Sequence, residues 1–445
     1  MKSLCKLVAL PLLTLSQLAN SPLAFAEYSA IYEQEWAVDN KGRGQKFETL
    51  FEPQWNTSLT DNLDMTFIGR VRFDGLDKLG PDDDRGDNYG EANGPVLTSE
   101  HGDISIREWF FDTEVAGSYW RIGKQQVVWG QADGLKVLDV VNPQSYREFI
   151  LDDFEDSRIP LWMANIELPI GDENSLQLLW IPDLSYNEFA VDGSVYQLTT
   201  PLLAPQVSAL QAQGITFGGY RHNKPSSPIK DSDLGLRYSM FYHGWDLIFN
   251  YFYHYLDSPV NYQRIEQNQV YIEAKYQRSH LLGATASKAF GDFTLRTEVG
   301  YSSDSYHLLK PTAAAYARQQ GIHNSADISS VIGLDWQGLT DAMISVQWFQ
   351  SYLLDDEPGL IRGQNDHTLS FMYTQTFENE TWEFETLVLH GLELDDGSVQ
   401  TKLSYMLESN IKLYLGADIF YGNEAGLLGQ FKDTDRFTIG FEWGF

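Results

Sequence analysis

Charged residues of both signs recur at even separations inside stretches that otherwise alternate apolar and polar positions: Arg70 with Arg72, Glu273 with Lys275, Arg296 with Glu298, and Lys412 with Asp418. Even spacing places such residues on one face of an extended strand, and Arg237 falls in a stretch of the same kind. Fixed charges of both signs along a wall can sort solutes by charge, but do not by themselves make or break a bond. A second set, Arg147, Glu148, Asp152 and Asp153, lies in a stretch from Tyr146 to Phe154 whose apolar residues fall at roughly helical spacing. The chemistry of covalent catalysis finds little footing. Neither Gly-x-Ser-x-Gly nor His-Glu-x-x-His is present, and the 9 His show no paired metal-ligand spacing. The reading is therefore non-enzymatic, with no metal and no cofactor. The acidic run Pro81 to Asn88 offers oxygen ligands for calcium, yet lacks the spaced pattern and terminal Glu of a helix-loop-helix site.

Strands must position these charges. Leu63, Met65, Phe67, Val71 and Phe73 alternate with Asp64, Thr66, Arg70 and Arg72, with Ile68 as the exception. Trp245 to Tyr255, Phe293 to Tyr301, Ile411 to Ile419 and Arg436 to Phe445 repeat the pattern. Such segments of about ten residues, joined by turns, are the signature of a transmembrane barrel. A soluble exported sandwich or propeller also alternates, but its core could not bury the unpaired charges of the polar rows. Short connections (61–62, 117–118, 171–174, 244, 291–292, 338–341, 378–380, 409–410) alternate with long ones (75–102, 131–158, 185–232, 258–266, 305–325, 355–365, 424–434), with shorter partners near 40–45 and 393–397. That is the alternation of periplasmic turns and extracellular loops. The expected fold is an all-β antiparallel barrel of about 18 strands, with 16 as the alternative count. The number 18 requires 268–289 to be one long strand, which the parity of Val270, Ile272, Ala274, Tyr276, Leu282, Ala284 and Ala286 supports; a turn at 278–280 makes 19.

The start of the chain agrees with export. Lys2 and Lys6 precede an apolar run from Leu7 to Leu18 that ends in Ala24-Phe25-Ala26, the order of a secretory signal peptide over residues 1–26, with the barrel over 27–445. The formal charge of −31 becomes −33 once Lys2 and Lys6 are removed, which excludes nucleic acid as a partner. Aromatic residues make up 14% of the chain, and after the signal no run approaches the ~20 apolar residues of a spanning helix. The single Cys5, within the signal, leaves the mature chain without a disulfide.

Two segments carry a resemblance. The final strand, with Phe441, Trp443 and Phe445, resembles the aromatic-terminated signal read by the outer-membrane assembly machinery, which implies that machinery as a partner. Residues Gly123-Lys124-Gln125, then Trp129-Gly130, then Asn142-Pro143, resemble a family of Gram-negative outer-membrane porin-like barrels of uncharacterised function. That resemblance implies a cleaved signal, residence in the outer membrane among its lipid and lipopolysaccharide, and passage of small solutes or hydrophobic compounds. It also implies an inner-membrane RND-type lipid transporter as a partner. The alternative is a non-conducting barrel, an adhesin or scaffold. Around Lys124 the polar residues occupy both parities, so either the strand rises above the membrane or another segment packs on it. The stretch that follows, 131–158, is expected to fold into the lumen as a constriction, and Arg70, Arg72, Arg237, Lys275, Arg296, Glu298, Lys412 and Asp418 to line the pore.

Overall fold

The structure is a computed structural model, and it describes residues 26–76, 78–79 and 88–445. The signal segment 1–25 and most of the acidic run, 81–87, lie outside the described residues.

The chain forms a closed antiparallel barrel of 18 strands: the main sheet has 19 members, one of which, Leu97–Ser99, pairs only with the upper end of Gly102–Val115. Closure is made between the first strand, Glu27–Val38, and the last, Arg436–Gly444, with Ile31 opposite Gly444 and Val38 opposite Phe437. The backbones of Ala30 and Phe445 exchange both hydrogen bonds, at 2.7 and 3.0 Å, so no sheet edge is left at the seam. Phe445 stacks on Phe51 and lies tilted against Trp443, which covers the end of the seam with rings.

Alternation decides which way each residue faces. Leu415, Ile439 and Phe437 are exposed on the outside, while Asp418 and Arg436 are buried inside. Exposed apolar side chains around the whole outer wall, Leu282, Val346 and Leu334 among them, form the band that lipid would cover. No helix among the described residues is long and apolar enough to cross a membrane; crossing here is by strands. Tight turns join strands at one end. In Ala116-Gly117 both residues take positive φ, 52° and 78°, the twist that two-residue hairpins need.

The long strand expected over 268–289 is two elements. Gln269–Lys275 belongs to a separate three-stranded sheet with Val260–Glu266 and Thr216–Asn223, and Arg278–Phe290 belongs to the barrel. Parity survives the break, but its meaning reverses: Val270, Ile272 and Ala274 are buried beneath loops, whereas Leu282 is 54% exposed on the outside. Alternation alone cannot distinguish a face turned to lipid from one turned to a neighbouring loop. The strand count is unaffected, because the hairpin 260–275 sits wholly within the long-loop end.

Wall height varies around the barrel. Gly44–Thr60, Phe293–Leu308 and Ile322–Trp336 run for 17, 16 and 15 residues, whereas Ser118–Gln125 and Asn174–Ile181 have 8 each. The small sheet packs beside the tall strands, with Val260 against Leu308 and Ile322 and Val270 against Leu309 and Tyr316.

Candidate functional site

After Gln125 the chain leaves the wall and crosses the lumen, returning to the wall at Leu161. Trp129 is buried, donates its indole N–H to Gln177 at 2.8 Å and sets its edge on Phe252. Leu138, wholly buried, drops into a slot where the wall carries Gly283 and Gly300; a Cβ on either would meet it at 2.8 or 3.1 Å. Asn142 ties the segment together. Its side chain accepts the Val127 N–H at 2.8 Å and donates to the Ile159 carbonyl at 2.9 Å, which satisfies backbone groups that no strand reaches.

Polar contacts then run almost around the wall. Glu298 accepts the N–H groups of Gln131 and Leu138, Arg296 pairs with Asp133 and with Asp335 (2.7 Å), and Gln347 donates to Asp133 at 2.7 Å. Across the lumen, Arg147 meets Glu48 at 2.7 Å, while Glu148 meets Lys46 at 2.8 Å and Arg436 at 2.5 Å. Arg436 is held in turn by Asp418 at 2.8 Å. Further round, Asp156 meets Arg70 at 2.5 Å, Arg158 meets Asp139 at 2.8 Å, and Arg107 donates to the carbonyls of Arg158 and Glu155.

Charge settles the protonation of the inserted carboxylates. Burial by itself would raise Glu148, but Lys46, Arg147 and Arg436 outweigh it and hold the carboxyl well below the usual range. Asp152 goes the other way: burial first, then the negative charge of Glu148, push it up to about 7 against Lys46 and Arg147. Asp156 is lowered, because Arg70 and Arg107 outweigh the effect of its burial. One inserted carboxylate therefore titrates near neutrality between two that stay charged.

Apolar packing fixes the far end of the segment. Phe149 takes φ 58°, a costly conformation for a bulky residue, and is held there by Phe431 and Phe420 at ring separations of 4.7 and 6.3 Å. Tyr196 from the following loop joins the same cluster, so residues of two long loops enter the barrel. The apolar residues Val207, Leu210 and Ile215 of that loop pack on Val270, Leu309 and Tyr316 of neighbouring loops rather than facing water.

Of the residues expected at the pore, Arg70, Arg72, Arg237, Arg296, Glu298, Lys412 and Asp418 lie on barrel strands, and most reach partners within the lumen. Arg237 donates to the Val128 carbonyl at 3.1 Å, and Lys412 pairs with Glu442 at 2.8 Å on the inner row near the turn end. Lys275 corrects the expectation: it stands with Glu273, 3.0 Å away, on the small sheet above the barrel and not on the barrel wall. Arg147, Glu148 and Asp152 sit within the lumenal segment, whereas Asp153 is exposed at the start of the single helical turn Phe154–Ser157. Phe441, Trp443 and Phe445 all take the outward face of the last strand.

Sequence reasoning missed Lys46, Arg107, Asp139, Arg158 and Arg436. Lys46 shares parity with Glu48, and Arg436 has the parity opposite to Phe441, Trp443 and Phe445. Arg107 and Glu108 are adjacent, and a bulge opposite Ile68 and Gly69 lets both reach the inserted segment, Arg107 at Arg158 and Glu108 at Gln126. Two neighbouring charges inside an alternating strand were the available signal.

A closed barrel of 18 antiparallel strands with a long loop folded into it is the architecture of outer-membrane porins. The chain belongs to the family described as protein of unknown function DUF1302, which matches residues 72–353. Its fold is similar to that of Pseudomonas aeruginosa OccK2 (OpdF), solved with glucuronate, at 10% identity over 95% of this chain and 98% of that one, TM-score 0.53. Pseudomonas aeruginosa OpdK, solved with vanillate, gives 11%, 95%, 99% and 0.52 in the same order. A BenF-like porin from Pseudomonas fluorescens Pf-5 gives 9%, 95%, 99% and 0.52. No curated protein matches the sequence.

Proposed function

We propose that the protein is a passive channel of the Gram-negative outer membrane, reached through a cleaved signal peptide and the outer-membrane assembly machinery, with the lumenal segment as its constriction. The observation that carries this reading is the ring of charge pairs that holds residues 126–160 against the inner wall, leaving facing groups of both signs along the passage. A solute crosses down its gradient, selected by width and charge, with no cofactor. Small carboxylates are the first solutes to test. Arg70, Arg72, Arg107 and Arg158 gather around one cavity of the lumen, together with Asp103, Asp152, Asp156 and Glu188, and the ligands seen in OpdK and OccK2, vanillate and glucuronate, both carry that group. Lipid and lipopolysaccharide surround the apolar band, and an inner-membrane transporter of the RND type is the partner to look for at the turn end.

Single-channel recording in planar bilayers tests the reading. Discrete conductance steps are expected from the wild type, with larger steps after deletion of residues 131–139. Folded protein that gives no steps, before or after that deletion, would mark the barrel as a non-conducting scaffold.

A further inference from the structure

The low side of the wall contains an opening. Pairing between Gly102–Val115 and Ser118–Gln125 runs only from Val115 opposite Ser118 up to Trp109 opposite Lys124. Above Trp109 the neighbouring strand has gone into the lumen, and its place is taken by the three residues Leu97–Ser99, which pair with Gly102 to Ile104. Residues 105–108 thus face no strand on that side. Eight residues at about 3.3 Å each, tilted by about 40°, rise roughly 20 Å, less than the ~25 Å apolar band of such barrels. The opening therefore begins within the leaflet on the long-loop side.

Its lining is unusual for a surface turned to lipid. Lys124 stands opposite Trp109 and Trp162, which point outward and meet edge-to-face at 6.2 Å, so the lysine stem lies on the outer face between two rings. The side chain is nonetheless 5% exposed, and its ammonium reaches the carbonyls of Ile106 at 2.6 Å and Asn93 at 3.2 Å. Arg107, beside it, likewise donates to two carbonyls. Neither cation meets a carboxylate among the described residues. A cavity of about 60 Å³ lies beside them, lined by Asn93 and Pro95, by the cations Arg70, Arg72, Arg107, Lys124 and Arg158, and by the carboxylates Asp103, Asp152, Asp156 and Glu188. At its outer lip Val96 and Leu97 are each 62% exposed, next to exposed Ile104.

We infer that this opening is a lateral binding site for a single-chain amphiphile with an anionic headgroup. The headgroup sits between Lys124 and Arg107, and the apolar chain lies along Leu97, Ile104 and Trp109 in the membrane. Two buried cations whose hydrogen bonds go to neutral carbonyls are ready to exchange those bonds for stronger charge-assisted ones to an anion. The cavity's volume suits a carboxylate-sized head, and the exposed apolar lip suits a hydrocarbon chain. This goes beyond passage along the barrel axis, because it gives the wall a route between membrane and lumen.

The experiment uses the full-length protein in phosphatidylcholine nanodiscs with a diazirine-bearing dodecanoate, and maps the labelled peptides by mass spectrometry. Label is expected on residues 93–97, 104–109 or 159–162, and should fall about tenfold in Lys124→Gln once heat-modifiable mobility shows that the variant is folded. On the wild type alone, the matching dodecanol should label these peptides several-fold less than dodecanoate. Equal labelling by the alcohol, label confined to the axial lumen or to other strands, or an undiminished signal in the folded variant would each overturn the assignment. Loss of label when phosphatidylglycerol replaces phosphatidylcholine would reassign the site to lipid headgroups and overturn the single-chain reading.

Discussion

The tall and low parts of this barrel's wall solve one problem in different ways. In the tall parts, Gly44–Thr60 and, half-way round the barrel from it, Phe293–Leu308 carry the hydrogen-bond ladder past both edges of the membrane, and charges stay on the inner row. On the low side, Ser118–Gln125 stops early, a lysine faces outward, and the carbonyls of Ile106 on the neighbouring strand and of Asn93 in a loop satisfy it. Where the ladder is complete, the strand itself satisfies every backbone group; where it is cut short, side chains and loops must do so. The cut is also what frees residues 126–160 to enter the lumen, so the weak side of the wall and the constriction have one origin.

This comparison can be broken in four places. The largest effect is expected where the inserted segment meets the wall's inner row: Glu148→Ala leaves Lys46, Arg147 and Arg436 without their shared carboxylate, and should cost about 3–5 kcal/mol in urea unfolding from vesicles. A loss under about 1 kcal/mol there would mean that the segment is held by its apolar contacts alone. Next, Leu415→Arg should cost about 2–4 kcal/mol, because Leu415 is 54% exposed on the lipid face of a complete ladder. Its neighbour Gly416→Arg, turned inward with Thr438 at an ordinary 3.4 Å, should stay within about 1 kcal/mol. Equal losses at 415 and 416 would contradict the assigned facing.

On the low wall the sign of the argument changes. Lys124→Met removes a buried charge from the outer side of the wall but strips two carbonyls of their donor, so a loss of about 1 kcal/mol is expected where a simple burial argument would forecast a gain. The smallest effect is electrical. Asp152 is pushed up to about 7, so it is largely neutral at pH 6 and charged at pH 8. Cation preference, read as reversal potential, should rise across that window in the wild type and stay flat in Asp152→Asn. The linkage has its own sign: a raised folded value favours the protonated native state, so Asp152's contribution to stability is lost as pH rises through about 7.

Much of the fold was legible because lipid imposes the same alternation on every strand: Leu413, Leu415 and Ile419 could be placed outside by parity alone. The alternating short and long connections fixed the strand count, even though 269–275 proved to be one arm of a loop hairpin. The placement of 126–160 was foreshadowed by the mixed parities around Lys124, since a strand with polar residues on both faces needs cover on both. What the sequence could not show was who covers whom. Asn93 reaching Lys124, or Glu48 reaching Arg147, are contacts across 31 and 99 positions of chain that no local pattern encodes. Lys275 shows the same limit from the other side, because an alternating row reads alike in lipid and under a loop.

Asn142 has a consequence for how such a channel can vary. By bonding both Val127 and Ile159 it clamps the two ends of the inserted stretch at one point, much as a clasp closes a bracelet. Doubling the length of a chain closed in this way costs only about 0.6 kcal/mol of entropy. The pairing of Ser118–Gln125 with Leu161–Ile170 beneath the clasp does not depend on what lies between. The clasp therefore holds the two exits from the wall together whatever the length between them, and changes in the interval 128–141 are limited by Trp129, Asp133 and Leu138, which tie it to the wall.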